Sequence, residues 1–237
     1  MTHWARLTWQ AAVPAAHARD LVRRLGVSAV KGGSVRGARV LRLGETELEI
    51  RPWQREGPTD DPRPWGRLMF EPGGGSEPDG EPDTTMALVA IAWSTVELDR
   101  AEDELDLWLE PVEPLKAGAG RAEGIEPLLG ARTRLRRAQG LPGGHIVFAE
   151  PTTEGRLAAS LARDGEGPCA LYLRPTAGLD AWLRTAPPGR ARTWRVETGP
   201  AGRSVLLPAG PPAGPFVIVA DGPVAVSVRG PAGTIGA

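Results

Sequence analysis

A chain of 237 residues with one cysteine, Cys169, can hold neither an internal disulfide framework nor a thiolate metal cluster of its own. It also lacks an excess of charge. With 28 basic residues against 29 acidic ones, it offers no electrostatic footprint for nucleic acid or for an anionic membrane surface. Lysine is confined to Lys31 and Lys116, so the basic charge is almost all arginine. No apolar run approaches the ~20 residues of a membrane span, and Met-Thr-His-Trp-Ala-Arg at the start has no signal-peptide core, so a cytoplasmic protein is expected. Gly-x-Ser-x-Gly, His-Glu-x-x-His, P-loop and Gly-x-Gly-x-x-Gly elements are missing, which leaves serine hydrolase, metalloprotease and nucleotide-binding readings without support. His3, His17 and His145 share no ligand spacing and read as solvated.

What is present is a recurring order of elements. Residues 4–13 read as a strand, and Pro14 with Ala15–Leu25 as a helix closed by Gly26. Gly32, Gly33 and Gly37 punctuate short strands, and the hairpin Arg39–Leu43, Gly44, Glu45–Pro52 follows. In its last strand Leu48 and Ile50 share a core face, while Glu47, Glu49 and Arg51 share a wet one. Residues 54–86 are rich in proline, glycine and acid and read as a linker, with Arg67–Phe70 as an edge strand. The pattern then restarts. Leu88–Leu98 is a strand and Asp99–Leu109 a helix with Leu105, Trp108 and Leu109 on one face. Two weakly signalled strands are placed near Pro127–Leu129 and Thr133–Arg137, and Ile146–Glu150 ends the unit. A third unit runs through strand Cys169–Leu173, helix Leu179–Thr185 and strands Thr193–Glu197, Ser204–Leu207 and Phe216–Ala220. Aligned at their starts, the units match Thr8 with Ala92 and Ala170, Trp9 with Trp93 and Leu171, and Leu21 with Leu105 and Leu183, the spacing of an internal repeat.

The stretch from Ile146 to Leu173 carries the most specific order: a strand ending in Glu150-Pro151, a helix after Thr152-Thr153, the turn Gly165-Glu166-Gly167, and a second strand. It resembles the vicinal-oxygen-chelate superfamily of glyoxalase, extradiol dioxygenase and bleomycin-resistance relatives, and the second half is most similar to the methylmalonyl-CoA epimerases. The resemblance implies an α+β fold of repeated βαβββ modules. Two of them, over residues 88–220, would form a glyoxalase-like cup, with an N-terminal half-cup module beside it. The division expected is 1–53 for the N-terminal module, 54–86 for the linker, 87–222 for the two-module domain and 223–237 for a C-terminal strand and tail.

In that family a divalent metal is held by side chains from the first and last strand of each module. Carried over, those positions are Ala92, Glu150, Ala170 and Ile218, with Thr8 and Arg51 in the N-terminal module. Only Glu150 has ligating chemistry, so neither a metal nor any other cofactor is expected. Strand parity assigns Trp9, Trp93 and Cys169 to the helix-covered face. The lining expected for the cup is Ser94, Ile146, Phe148, Glu150, Tyr172, Arg174, Phe216 and Ile218, which suits a small organic molecule with one or two polar handles. Three functions remain open. The first is metal-free binding of a small molecule. The second is an isomerase or lyase with Glu150 as its general base. The third is a non-catalytic structural protein. An odd number of half-cups points to a homodimer joined through the N-terminal modules.

Overall fold

Local chemistry sets the first helix. The computed structural model describes residues 5–11, 13–30, 35–52, 68–71, 85–108, 123–137, 142–185, 194–207 and 215–222. Helix α1 (Pro14–Leu25) opens on a proline, whose fixed φ suits the first helical position, and ends at Gly26. Gly26 adopts the left-handed conformation at φ 71°, and its N–H donates to the Val22 carbonyl. Pro14, His17, Ala18, Leu21 and Leu25 recur at helical spacing and form the buried face. His17 is therefore not solvated as expected; it is 5% exposed and meets the edge of Trp9 with ring centroids 4.8 Å apart.

Strands β1 (Ala5–Ala11), β2 (Ala29–Val30), β3 (Arg39–Leu43), β4 (Thr46–Pro52) and β5 (Leu68–Glu71) form one sheet, ordered β2-β3-β4-β1-β5. The hairpin of β3 and β4 turns at Gly44-Glu45, where Gly44 takes φ 65°. The β4 face read as wet is buried. Glu49 is 0% exposed and bridges to Arg51 at 3.0 Å, and Thr8 on the neighbouring strand is also fully buried.

A second sheet contains β6 (Met86–Ser94), β7 (Glu123–Glu126), β8 (Ala131–Arg137), β9 (His145–Pro151), β10 (Gly167–Pro175), β11 (Val196–Gly199), β12 (Gly202–Leu206) and β13 (Phe216–Ala220). Its order is β11-β12-β13-β10-β6-β9-β8-β7. Helices α2 (Leu98–Trp108), α3 (Arg156–Asp164) and α4 (Leu179–Thr185) complete the elements, giving the α+β class expected. In each strand–helix–three-strand run the first strand lies parallel to the last: β1 beside β4, β6 beside β9, β10 beside β13. Antiparallel pairing of β6 with β10 joins the two halves of the larger sheet.

Several boundaries differ from expectation for local reasons. The strand expected near Pro127–Leu129 lies earlier, at β7, because residues 127–130 form a turn closed by the Gly130 N–H on the Glu126 carbonyl. The Thr152-Thr153 pair does not open α3. Thr152 gives both its N–H and its hydroxyl to the Gly130 carbonyl, and the helix starts four residues later, after Gly155. The strand expected from Thr193 begins at Val196. The remainder of the linker, Leu109 and the tail 223–237 lie outside the described residues.

One core runs from Leu7, Trp9, Leu48 and Ile50 under α1 to Leu171, Leu173, Val217 and Val219 under α4. A second fills the concave side of the larger sheet, and a third lies between that sheet and α2. β5 pairs antiparallel with β1 and stands at the end of the smaller sheet.

Candidate functional site

Curling brings the two end strands of the larger sheet, β7 and β11, against each other. The Glu126 carboxylate lies over Gly199, so close that a Cβ at Gly199 would stand 2.6 Å from its Oε2. Register fixes which side chains point into this cup. Ala92 aligns with Val147 and Ala170, Ser94 with Ala149, Tyr172 with Ile218, and Thr133 with Ala149. All of these side chains are buried, and the lining is rich in alanine.

Ser94, Tyr172, Phe216 and Ile218 lie on the inner side of the sheet. The Ser94 hydroxyl donates to the Gly167 carbonyl at 3.1 Å. Arg174 is half-buried near the end of β10. Ile146, Phe148 and Glu150 do not belong to the cup. Val147 and Ala149 take the inner positions of β9, which turns the alternate residues outward beneath α2. Phe148 and Ile146 pack with Trp93, Leu98 and Ala101. Glu150 accepts from the Leu98 N–H at 3.2 Å and from Arg132 Nη2 at 2.7 Å. It holds the start of α2 to the sheet.

Glu166, from the Gly-Glu-Gly turn, does the same from the other side. Its carboxylate accepts from the Val96 N–H at 2.6 Å, the Thr95 hydroxyl at 2.7 Å and Arg100 Nη2 at 2.6 Å. Burial works against its ionisation, but these bonds outweigh burial and hold its carboxyl below the usual range. The two acids of the recognisable stretch are therefore clamps for α2.

Trp9 and Trp93 lie on helix-covered faces as parity requires. Cys169 does not. A register shift between Pro168 and Ala170 leaves Cys169 as the extra residue, packed with the cup cluster and bonded to Ser94. Burial pushes its thiol up to about 12.

The polar centre of the cup pairs Tyr172 with Glu126, an acid that sequence reasoning did not find. Tyr172 is fully buried and donates its hydroxyl to Glu126 Oε2 at 2.9 Å. Glu126, also fully buried, accepts the Leu128 N–H on Oε1 at 3.1 Å. Burial raises the Glu126 carboxyl above its ordinary value and Glu197 adds to the rise, while the bonds from Tyr172 and Leu128 oppose it. Burial likewise drives the Tyr172 phenol well up, with the Glu126 charge beside it. On the same concave side the hydroxyls of Thr133 and Ser204 are buried without a hydrogen-bond partner among the described residues.

A divalent metal does not fit the places where the resemblance puts one. Ala92 and Ala170 stand on the first strands, and their inner neighbours on the last strands are Val147, Ala149, Phe216 and Ile218, all without a donor atom. Among the described residues no three His, Cys, Asp or Glu side chains converge as a metal would need.

No family model matches the chain, and no curated protein matches it in sequence. Solved structures do. A variant of 4-hydroxymandelate synthase from Streptomyces coelicolor aligns over 93% of this chain and 92% of its own, with TM-score 0.54 and 14% identity. A methylmalonyl-CoA epimerase from Mycobacterium tuberculosis aligns over 57% of this chain and 87% of its own, with TM-score 0.42 and 22% identity. One from Streptomyces coelicolor aligns over 56% and 96%, with TM-score 0.36 and 19% identity. The alignment over 93% of the chain, together with the strand order of the curled sheet, gives this chain a glyoxalase-like α+β fold.

Proposed function

We propose that the chain is a metal-independent, glyoxalase-like protein that binds a small, neutral, largely apolar organic molecule in its cup, with Glu126 and Tyr172 as the polar handle. The observation that carries this reading is the buried Glu126–Tyr172 bond set in an interior otherwise lined by alanine and other apolar side chains. A binding site of this kind has an apolar wall and a few fixed polar groups. The unpartnered hydroxyls of Thr133 and Ser204 add two more hydrogen-bonding groups on the same side. An anionic ligand is disfavoured by Glu126 with Glu197 beside it, and a cationic one by the burial that favours the uncharged form of Glu126. Glu150 as a general base has lost its geometric support, since one oxygen accepts from the Leu98 N–H at the start of α2 and the other from Arg132 of β8, outside the cup.

The test is a thermal-shift screen of wild type and Glu126→Gln against a library of neutral amphipathic compounds, with a chelator present throughout. A ligand at one hundred times its Kd stabilises by about 2.7 kcal/mol. For a chain of this size that is a rise in Tm of about 5–10 °C. Hits that stabilise wild type and lose most of their effect on Glu126→Gln are expected. A library without hits, or hits indifferent to Glu126, would refute the reading.

A further inference from the structure

The larger sheet is a continuous ladder from β11 to β7, so its strands cannot part without breaking backbone hydrogen bonds, except at one place. Where β7 meets β11 the two ends touch with no ladder between them among the described residues. Each is a four-residue strand paired on one side only. What crosses this seam is a side chain. Glu126 is tied to its own turn through the Leu128 N–H, reaches Tyr172 on β10, and lies on Gly199 of the opposite lip. We infer that the seam between β7 and β11 is the entrance to the cup and that Glu126 is its latch, holding the seam more firmly when protonated than when ionised.

The surroundings of Glu126 give the direction. On its own strand the other acid, Glu123, is paired with Arg134 on the outer side. From β8 the inner residues are Ala131 and Thr133, with no charge, and Arg132 and Arg134 lie outside. From β10 come Tyr172 and, beside it, Cys169; from β11 comes Glu197; from β12 comes Ser204, whose neighbour Arg203 is held by Asp180 and Asp221. Every titratable group facing Glu126 among the described residues is neutral or negative. Arg195, 79% exposed, bridges Glu197 from the solvent side, and no cation bonds to Glu126 among the described residues, so losing the proton places a charge beside Glu197 in a buried seam. Opening the seam lets water solvate that charge and exposes the cup lining with its two hydroxyls. Ile125 and Val196, each one residue before an acid of the seam, are among the most exposed large apolar side chains, at 67% and 42%. They give the outer lip an apolar approach.

That the cup admits a ligand rests on the binding reading above, but the opening can be measured without any ligand. Cys169, the chain's one thiol, is 8% exposed in the cup and becomes reactive when it opens. Its rate of reaction with 4,4′-dithiodipyridine, divided by the rate in the unfolded chain at the same pH, gives a protection factor. Hydrogen exchange in β6 and β10 supplies the control for global unfolding. In wild type the protection should fall up to tenfold per pH unit between the ordinary glutamate range and Glu126's raised value, since one proton is released on opening. Glu126→Gln should be flat and fully protected. Gly199→Ala, which displaces the carboxylate, should label quickly at every pH with the β6 and β10 amides still protected. Should Glu126→Gln fold poorly, Glu197→Gln serves instead, and its fall in protection should be smaller and end at lower pH, because Glu197 adds to the rise of Glu126. A flat wild-type profile, an equal slope in Glu126→Gln, or labelling that tracks exchange in β6 and β10 would overturn the latch. If the profile appears as described and no ligand protects Cys169, the latch stands and the binding reading fails.

Discussion

Tyr172→Phe removes one oxygen from the centre of the cup and leaves its volume almost unchanged, so any effect belongs to the hydrogen bond. The bond is 2.9 Å long and both partners are fully buried. To a neutral Glu126 such a bond is worth about 1 kcal/mol, and to an ionised one about 1.5–3 kcal/mol. The loss should therefore be smaller at low pH and larger above Glu126's raised value. Because the Tyr172 bond opposes the rise in Glu126's value, its removal should also move that value further up. In a chain of this length 1 kcal/mol shifts Tm by about 2–4 °C. The variant should melt about 2–4 °C below wild type on the acid side of Glu126's raised value and about 3–12 °C below it on the alkaline side. Urea unfolding at both pH values, with the slope checked for equality, measures the same difference in free energy. A loss under about 0.5 kcal/mol at both pH values, or one of equal size, would refute the reasoning that this bond organises the cup.

The other predictions concern separate parts of the structure. Glu126 is raised in the folded state, so its contribution is fully present below the ordinary value of 4.5 and is lost as pH rises through the raised one. Wild-type stability should decline over that window in a pH series of thermal melts, and Glu126→Gln should not share the decline. Glu150→Ala strips the Leu98 N–H of its acceptor and Arg132 of its partner. It should cost about 0.5–2 kcal/mol, as loss of a helix cap does, yet leave the affinity of any cup ligand unchanged by calorimetry. A loss of binding there would restore Glu150 as a site residue. Thr133→Val replaces a buried unpartnered hydroxyl with a methyl group of similar shape. It should be neutral or stabilising in chemical denaturation without ligand, and weaken any ligand that uses the hydroxyl.

The fold was legible where local chemistry decides the conformation. Pro14 and Gly26 bracket α1, Gly44 marks the β3–β4 hairpin, and the apolar run Phe216–Ala220 is β13 as read. The face of β9 was not legible, because Ile146, Val147, Phe148 and Ala149 are all apolar and all buried. A strand covered on both sides has no alternation to read, and only its register with β6 shows that Glu150 points to α2. Glu47 and Glu49 did alternate with Leu48 and Ile50, but tertiary packing buries both faces. The Cys169 side was hidden by a shift in register, which reverses parity without any mark in composition. Glu126 sits in a Glu-Pro step, and the same step recurs at Glu71-Pro72, Glu77-Pro78, Glu81-Pro82, Glu110-Pro111, Glu113-Pro114 and Glu150-Pro151, so it carried no signal. Its burial follows from the meeting of two strands about seventy residues apart, Glu126 against Gly199. Tyr172 was read as inner because strand parity puts it on the same face as Ala170, and the two share the cup cluster.

Tyr172 is the only tyrosine in the chain, and it bonds to Glu126 inside the cup. Protein carrying ring-labelled tyrosine gives a single set of tyrosine resonances, and a titration in the presence of chelator reads the cup directly. A neutral organic ligand identified by thermal shift should move that resonance saturably, with a midpoint matching its affinity. A ligand that stabilises the chain while the Tyr172 resonance stays fixed, or moves it only after a divalent ion is added, would contradict the account.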